Sequence, residues 1–205
     1  MTLLSSVHTG TAALVLAAVL ADPSAFAGAS AFAKAPADRS AGEPAAAAPQ
    51  VSVREDRGTY AVTARFEIPQ TAAAALAVLS DYERIPKFMP EVQSSVVVEQ
   101  ADGRTFVQQE AVSRFMMFSK KVHLLLEVTR EPGTIRFVDR CGKSFVSYQG
   151  AWRAVTEDGR TIVSYELSAK PGFDVPEFIL KRLLKRDSAQ MIERLRREIG
   201  ERAAR

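Results

Sequence analysis

Very short connections between strand-like segments are the feature that most restricts the fold of this chain. Four of them are no longer than a turn: ADG before Arg104, EPG before Thr134, CGK before Ser144 and EDG before Arg160. Loops of this length join only antiparallel neighbours, because a parallel crossover needs about a dozen residues or more. The segments that they connect are therefore predicted to form a meander of antiparallel hairpins.

Seven segments have the composition and alternation of strands. In the first, every second residue from Tyr60 to Ile68 is apolar, which is the period of a strand with one covered face. The connection between the third and fourth segments, residues 113–119, is predicted to be an apolar loop. The predicted strands are residues 59–69, 92–100, 104–112, 120–128, 134–140, 144–155 and 161–170.

Two short helices are predicted between the first two strands. Pro69 ends the first strand, and the alanine-rich run at residues 70–81 favours a helix because alanine has the highest helix propensity. Ser80 or Asp81 then caps a second short helix, residues 82–89, which Pro90 stops.

A long amphipathic helix is predicted at the C-terminal end, with Pro176 in its first turn. Its apolar residues recur mostly at three- and four-residue spacing and form one broad stripe, whereas lysines and arginines take the other side. The predicted stripe comprises Phe178, Ile179, Leu183, Leu184, Met191, Ile192, Leu195 and Ile199. The sequence therefore predicts a two-layer α+β domain, in which a curved seven-stranded antiparallel sheet closes against this helix.

The first fifty residues differ in composition from the rest of the chain. An apolar run at residues 11–21 is followed by small-residue triplets at 25–27 and 31–33, a pattern typical of a secretory signal peptide. The run is too short to span a bilayer, which needs roughly 20 apolar residues. We therefore predict a signal peptide at residues 1–27, a disordered Ala/Pro-rich linker at 28–50 and a folded domain at 51–205, and expect export to a bacterial periplasm or secretion.

Charge and cysteine content exclude several function classes. The formal net charge is only +3, and the basic C-terminal residues lack aromatic interleaving, so nucleic acid is not an expected partner. The single cysteine, Cys141, excludes an internal disulfide and a multi-cysteine metal site. There is no Gly-rich phosphate loop and no metal-ligand spacing, so no cofactor is expected beyond a bound lipid or quinone. The basic C-terminal helix is a candidate for peripheral contact with an anionic membrane surface.

The order of the predicted elements and several motifs resemble one protein superfamily. A strand, two short helices, six strands and a long helix are the helix-grip order of START-like, or SRPBCC, proteins. The run VLSDYERIPKFMPEV at residues 78–92 is similar to the polyketide cyclase/dehydrase and coenzyme Q-binding branch, in which DYE-x-x-P-x-F-x-P follows an alanine-rich helix. SYQGAWRAV and YELSAKPGFDVPEFILKRLLKRD resemble that branch's last two strands and the start of its long helix. The resemblance implies a helix-grip fold that binds a hydrophobic small molecule in a cavity between sheet and helix.

Aromatic residues and methionines are the candidate lining of that cavity. We expect the proline-bounded helix and the loop at 113–119 to form opposing lips of its mouth, because loops seldom hold four consecutive large apolar residues unless they cover or bind something. For Trp152 and Phe178, ordinary core packing is the alternative. The predicted ligand-cavity residues are Ile85, Phe88, Met89, Phe115, Met116, Met117, Phe118, Tyr148, Trp152, Tyr165 and Phe178.

Few titratable residues are candidates for chemistry. His123 lies in a strand whose other face is wholly apolar, so its side chain is predicted to point to solvent. Glu110 and Tyr165 are the weak candidates for a catalytic acid or base. Arg136 and Arg140 share one strand face and are candidates for binding a ligand's head group, if that face is the inner one.

The function that these observations favour is binding or transport of a lipid or quinone-like molecule without catalysis. The scarcity of titratable groups on the apolar faces disfavours an enzyme. Two alternatives stay open: a cyclase or dehydratase that acts on an aromatic polyketide, and a module whose apolar lips recognise a protein partner.

Overall fold

The computed structural model describes residues 48–115, 118–174 and 176–205, with the side chains of residues 113–120 outside that description. The predicted signal peptide and nearly all of the predicted linker therefore lie outside the described residues. So do Met116 and Met117.

Within the described residues, eight strands and three α-helices make up the fold. A 3₁₀ turn at Tyr82–Arg84 lies between the first two helices. In chain order the elements are β1 (Gln50–Asp56), β2 (Thr59–Ile68), α1 (Ala72–Leu79), α2 (Ile85–Phe88), β3 (Val92–Ala101), β4 (Arg104–Phe115), β5 (Phe118–Glu131), β6 (Thr134–Asp139), β7 (Phe145–Glu157), β8 (Arg160–Pro171) and α3 (Glu177–Ala203).

All eight strands belong to one antiparallel sheet with the order β1-β2-β8-β7-β6-β5-β4-β3. The predicted meander is confirmed, because each strand from β3 to β7 pairs with the next one along the chain. β2 instead pairs with β8, and β3 lies at the far edge of the sheet. The connection from β2 to β3, which contains α1 and α2, must therefore cross the width of the sheet.

The long helix packs on the inner face of the sheet, as predicted. Leu184, Ile192 and Ile199 are completely buried, and the inward side chains of β2 and β8 are also nearly inaccessible to solvent. The fold is thus the helix-grip arrangement of a curved antiparallel sheet around one long C-terminal helix. In the part of the chain that the structure describes, no helix is long and apolar enough to cross a membrane.

The first strand, β1, was not predicted, and the expected count of seven strands is wrong. β1 pairs with β2 from Gln50 to Asp56, so it starts at the predicted boundary between linker and folded domain. Its residues alternate only between exposed and half-buried positions, because an edge strand has one neighbour and little cover. Its apolar pattern is correspondingly weak. The turn that follows holds Arg57 at φ 48° and Gly58 at φ 76°, the left-handed geometry of tight hairpin turns.

The predicted apolar loop at 113–119 is also wrong. β4 continues to Phe115, β5 begins at Phe118, and these two residues face each other in the ladder. Backbone hydrogen bonds between paired strands do not depend on alternation of side chains, so the pairing continues as far as Phe115 and Phe118 although both residues are large and apolar.

Candidate functional site

A cavity of about 170 Å³ lies between the inner face of the sheet, α3 and the connection that crosses from β2 to β3. Its wall is mostly aliphatic and aromatic, with side chains from β3 to β8, α1, α2 and α3. The volume is of the order of a dry apolar cavity that holds one benzene-sized molecule, about 150 Å³.

The central wall of the cavity comes from β5. Four alternate side chains of this strand face the cavity and are between 3% and 8% exposed: Val122, Leu124, Leu126 and Val128. His123, one position out of phase, lies on the opposite face with its side chain 44% exposed. The prediction that His123 points to solvent is confirmed.

Five aromatic side chains form the adjacent wall. The ring centroids of Trp152 and Tyr165 are 4.2 Å apart, and those of Phe145 and Tyr148 are 4.8 Å apart. Phe137 joins the two pairs, with centroid distances of 5.9 Å to Tyr148 and 6.5 Å to Tyr165. Rings at these separations make favourable contacts beyond the burial of their surface, so the five rings stabilise one another.

Tyr148 and Tyr165 are hydrogen bonded to each other in this aromatic wall. Burial raises the pKa of both hydroxyls well above their ordinary value. Both phenols are therefore neutral at physiological pH, and neither is suited to accept a proton there.

The third side of the cavity is the proline segment, which we define as residues 81–91, with prolines at 86 and 90. Ile85, Phe88 and Met89 of this segment line the cavity. Pro86 lies in the first turn of α2, where its missing N–H costs nothing. The α2 helix is only four residues long, so all three apolar side chains are held in a short stretch across the open side of the sheet.

Arg202 of α3 links the start of the proline segment to the C-terminal helix. Its guanidinium lies 2.7 Å from Asp81 Oδ2 and 2.6 Å from Glu198 Oε1. Arg84 lies 3.8 Å from the same Glu198 oxygen. Two residues of the segment are therefore held to α3 through one shared cluster of charges.

Glu91 and Arg194 make a second link at the other end of the proline segment. Burial on its own raises the pKa of Glu91, but the hydrogen bond and charge of Arg194 outweigh it and hold that pKa below its ordinary value of 4.5. The segment is thus tied to α3 on both sides of the residues that line the cavity.

The polar part of the cavity wall is small. It comprises Tyr82, Glu91, Gln109, Asp187, the hydroxyls of the tyrosine pair and the indole N–H of Trp152. Gln109 donates a hydrogen bond to Ser95 Oγ at 3.0 Å, and Asp187 accepts one from Arg186 at 2.8 Å. Among the described residues there is no group of three or more His, Cys, Asp and Glu side chains arranged to hold a metal ion.

Comparison with protein families identifies this architecture. Residues 68–196, more than half of the 205-residue chain, match the family described as polyketide cyclase / dehydrase and lipid transport. The chain belongs to this family. The match runs from the end of β2 into α3, and so includes the proline segment and every strand that lines the cavity. The predicted resemblance to the START-like superfamily is confirmed, whereas coenzyme Q binding stays a prediction.

Solved structures from the same superfamily share the fold. A STAR-related lipid transfer protein from Xanthomonas axonopodis matches with a TM-score of 0.62 and 17% identity, covering 75% of this chain and 94% of that one. A START superfamily protein from Mycobacterium smegmatis matches at 0.59 and 16%, covering 69% and 97%. The Zhui aromatase/cyclase from a Streptomyces species matches at 0.59 and 15%, covering 71% and 96%. The comparison with curated protein sequences finds no match.

Within this family fold, the structure brings together most of the described residues that were predicted to line a cavity. They are Ile85, Phe88, Met89, Tyr148, Trp152 and Tyr165. The backbones of Phe115 and Phe118 are placed at the end of the β4–β5 hairpin, but their side chains and all of Met116 and Met117 lie outside the described residues. The prediction that residues 115–118 form a lip of the cavity is therefore untested.

Phe178 does not line the cavity, and its prediction is wrong. It is 75% exposed. The buried stripe of α3 begins at Leu180, and two residues along a helix correspond to about 200° of rotation, so Phe178 points away from the sheet.

The predicted head-group residues and Glu110, one of the two acid–base candidates, lie on the outer face of the sheet, whereas the other candidate, Tyr165, lies in the cavity wall. Arg136 pairs with Glu131 at 2.9 Å, and Arg140 pairs with Glu127 on the same outer face. Neither arginine therefore reaches the cavity. Glu110 is 43% exposed and lies 3.3 Å from His123 Nδ1. These predictions fail because strand alternation assigns residues to two faces but does not say which face is covered.

Three aromatic residues of the cavity wall were not predicted: Tyr82, Phe137 and Phe145. Phe137 follows Arg136 in β6, so the two side chains lie on opposite faces of the sheet. Assigning Arg136 to the outer face would have placed Phe137 in the cavity wall. Tyr82 lies within the family motif itself, from which only the apolar residues Ile85, Phe88 and Met89 were predicted to line the cavity.

Proposed function

We propose that this protein binds a hydrophobic small molecule in the cavity between the sheet and α3, and acts as a carrier. The observation that carries the proposal is the cavity itself, with an aliphatic wall from β5 and an aromatic wall from β6 to β8. Transfer of a ligand from water to such a wall is favourable by about 25 cal/mol per Å² of apolar surface covered.

The ligand class that we propose is a lipid or a quinone-like molecule. A cavity of about 170 Å³ accommodates a group of roughly one ring, so a larger ligand requires the wall to move. The proline segment is the wall element best placed to do so, because Phe88 lines the cavity on one side and a surface cleft on the other.

A cyclase or dehydratase activity finds less support in the geometry. Glu110 and His123 form a pair on the outer face, away from the cavity. The two buried tyrosines have raised pKa values, and the wall carboxylates Glu91 and Asp187 are both ion-paired with arginines. A proton acceptor that faces the ligand would therefore have to be released from such a pair first.

Export and membrane contact complete the proposal. The signal-like pattern at residues 1–27 supports a carrier that works outside the cytoplasm. Several basic residues of α3 are exposed, and two of them, Arg182 and Lys185, follow Phe178 at the helical spacing of one surface stripe. An exposed aromatic ring beside basic side chains is typical of peripheral membrane contact.

A cavity-filling variant tests the binding site. Ala111 lines the cavity on β4, and Ala111→Leu adds three carbon atoms to the wall. The added atoms and a bound ligand compete for the same space, so the cavity is overpacked when the ligand is bound, at a cost of about 1–3 kcal/mol. We therefore expect the variant to weaken ligand binding by about tenfold or more. The matched control is Ala151→Leu, the same change on the outer face of β7, where Ala151 lies opposite Arg136 and Glu166.

The measurement combines native mass spectrometry of the protein purified from its own cell envelope with extraction of bound lipids. Binding in solution is followed through the emission of Trp152, the one tryptophan of the chain, which lies in the cavity wall. If no lipophile co-purifies and neither phospholipid nor quinone changes the Trp152 emission, the carrier proposal is wrong.

A further inference from the structure

One polar side chain of the cavity wall differs from the others in its hydrogen bonding. Tyr148 and Tyr165 are bonded to each other, and Gln109 donates to Ser95. The two wall carboxylates are ion-paired. The hydroxyl of Tyr82 is completely buried and has no hydrogen-bond partner among the described residues.

A buried hydroxyl without a partner is uncommon, since it loses its bonds to water and gains nothing in return. Tyr82 lies in the 3₁₀ turn of the proline segment, which packs against β3, and its side chain lines the cavity. Burial raises the pKa of this phenol, so it stays protonated at neutral pH. Tyr82 therefore brings one O–H donor without a partner among the described residues to a wall that is mostly apolar.

The charge near this hydroxyl favours an electron-rich group. The positive charge of Arg130 acts on the Tyr82 hydroxyl in the direction that favours negative charge there. Arg130 lies at the end of β5, opposite the cavity residue Ile135 in the ladder. A ligand oxygen that accepts the Tyr82 hydrogen bond also carries the partial negative charge that this surrounding potential attracts.

We infer that the Tyr82 hydroxyl donates a hydrogen bond to an acceptor oxygen of the bound ligand. This inference rests on the proposed function and narrows it: the ligand is not a pure hydrocarbon in its buried part, but carries a carbonyl or similar oxygen on a body of about one ring. Tyr82 fixes the orientation of that oxygen, while the aromatic and aliphatic walls cover the remainder.

Two probes of nearly the same shape test the inference: acetophenone, which has a ketone oxygen, and cumene, in which a methyl group takes its place. Tyr82→Phe removes only the donor. The matched control is Tyr60→Phe, the same change at a buried tyrosine of β2 that does not line the cavity. Binding is titrated by NMR with ¹⁵N-labelled protein, through the single indole N–H signal of Trp152.

We expect Tyr82→Phe to weaken acetophenone binding by about 3- to 10-fold, the usual effect of one net hydrogen bond, and to leave cumene binding unchanged. Tyr60→Phe should change neither. The unfolding temperature of Tyr82→Phe should be at least as high as that of the wild type, because the phenylalanine leaves no unpaired hydroxyl behind.

The outcomes separate this inference from the proposed function. If neither probe shifts the Trp152 signal in the wild type, no ligand site exists and both ideas fail. If both probes bind but Tyr82→Phe affects them equally or not at all, the cavity binds ligands and the Tyr82 inference is wrong. A lower unfolding temperature of Tyr82→Phe, with equal losses of affinity for both probes, would assign Tyr82 a structural role. That result would also overturn the Tyr82 inference.

Discussion

Gly150 shows how a single residue shapes the aromatic wall. It lies in β7 opposite Phe137 and Leu167. A Cβ atom at this position would lie 2.3 Å from the carbonyl oxygen of Glu166 and 2.7 Å from the ring of Phe137. Only glycine leaves room for the Phe137 ring to lie across the strand and join the two aromatic pairs.

We expect Gly150→Ala to lower the free energy of unfolding by about 1–3 kcal/mol, because two of the three closest atoms, in Glu166 and Leu167, belong to the backbone and cannot move aside easily. Chemical denaturation of the two proteins measures the difference. Gly200→Ala in α3 is the control, since the nearest side-chain atom to its added methyl is Gln70 Nε2 at 3.8 Å and alanine favours a helix by up to about 1 kcal/mol. Equal stability of Gly150→Ala and wild type would contradict this account of the wall.

The proline segment is the element on which the site depends most. It is too short to form a stable helix by itself, with one 3₁₀ turn and a four-residue α2. Its position is set by apolar contact with the cavity and by ion pairs to α3 at both ends. An element held in this way is expected to move more easily than the sheet.

The pair of Glu91 and Arg194 gives this link a pH dependence. The pKa of Glu91 is lower in the folded protein than its ordinary value of 4.5, so the pair stabilises the fold above that pH and is lost as the pH falls through the folded-state pKa. We expect Glu91→Gln to reduce stability by about 1 kcal/mol or less at neutral pH, as for other partly exposed pairs.

Denaturation at several pH values measures this effect. The difference between wild type and Glu91→Gln should shrink below pH 4.5. The control Glu201→Gln removes a glutamate whose partner, Arg205, is 3.8 Å away at the exposed end of α3. A constant difference across the pH range would rule out a contribution from ionised Glu91.

At the scale of the whole molecule, cavity size limits what can bind without rearrangement. Pockets for drug-sized ligands have about 300–1,000 Å³, whereas this cavity has about 170 Å³. A ligand of one ring should therefore enter the structure as it stands, and a long-chain ligand should require the proline segment to leave α3.

We expect hexadecan-2-one to associate more slowly than acetophenone, with Trp152 emission followed by stopped flow. Arg202→Gln removes the ion pairs to Asp81 and Glu198. It should therefore raise the association rate of the long-chain ketone several-fold and leave that of acetophenone unchanged. The control is Arg57→Gln, at an exposed pair in the β1–β2 turn. Equal acceleration of both ketones, or of neither, would show that the segment does not limit entry.

Much of the fold was predictable because short turns and alternation are local signals. The hairpins from β3 to β8, the long helix and the inward face of β5 follow from spacing of a few residues. β1 was missed because its pattern is that of a half-covered edge. The faces of Glu110 and Arg136 were undecided, because alternation is symmetric until something covers one side.

The sequence by itself determined a meander of antiparallel strands, a long amphipathic helix and the motif that identifies the family. These features depend on the chemistry of residues close together in the chain. The tertiary structure decided that the sheet and α3 do not meet completely and that five aromatic rings share one wall. It also decided that the Tyr82 hydroxyl has no hydrogen-bond partner among the residues that the structure describes. A cavity is space between elements distant in sequence, so no local pattern of residues encodes its size or its polar lining.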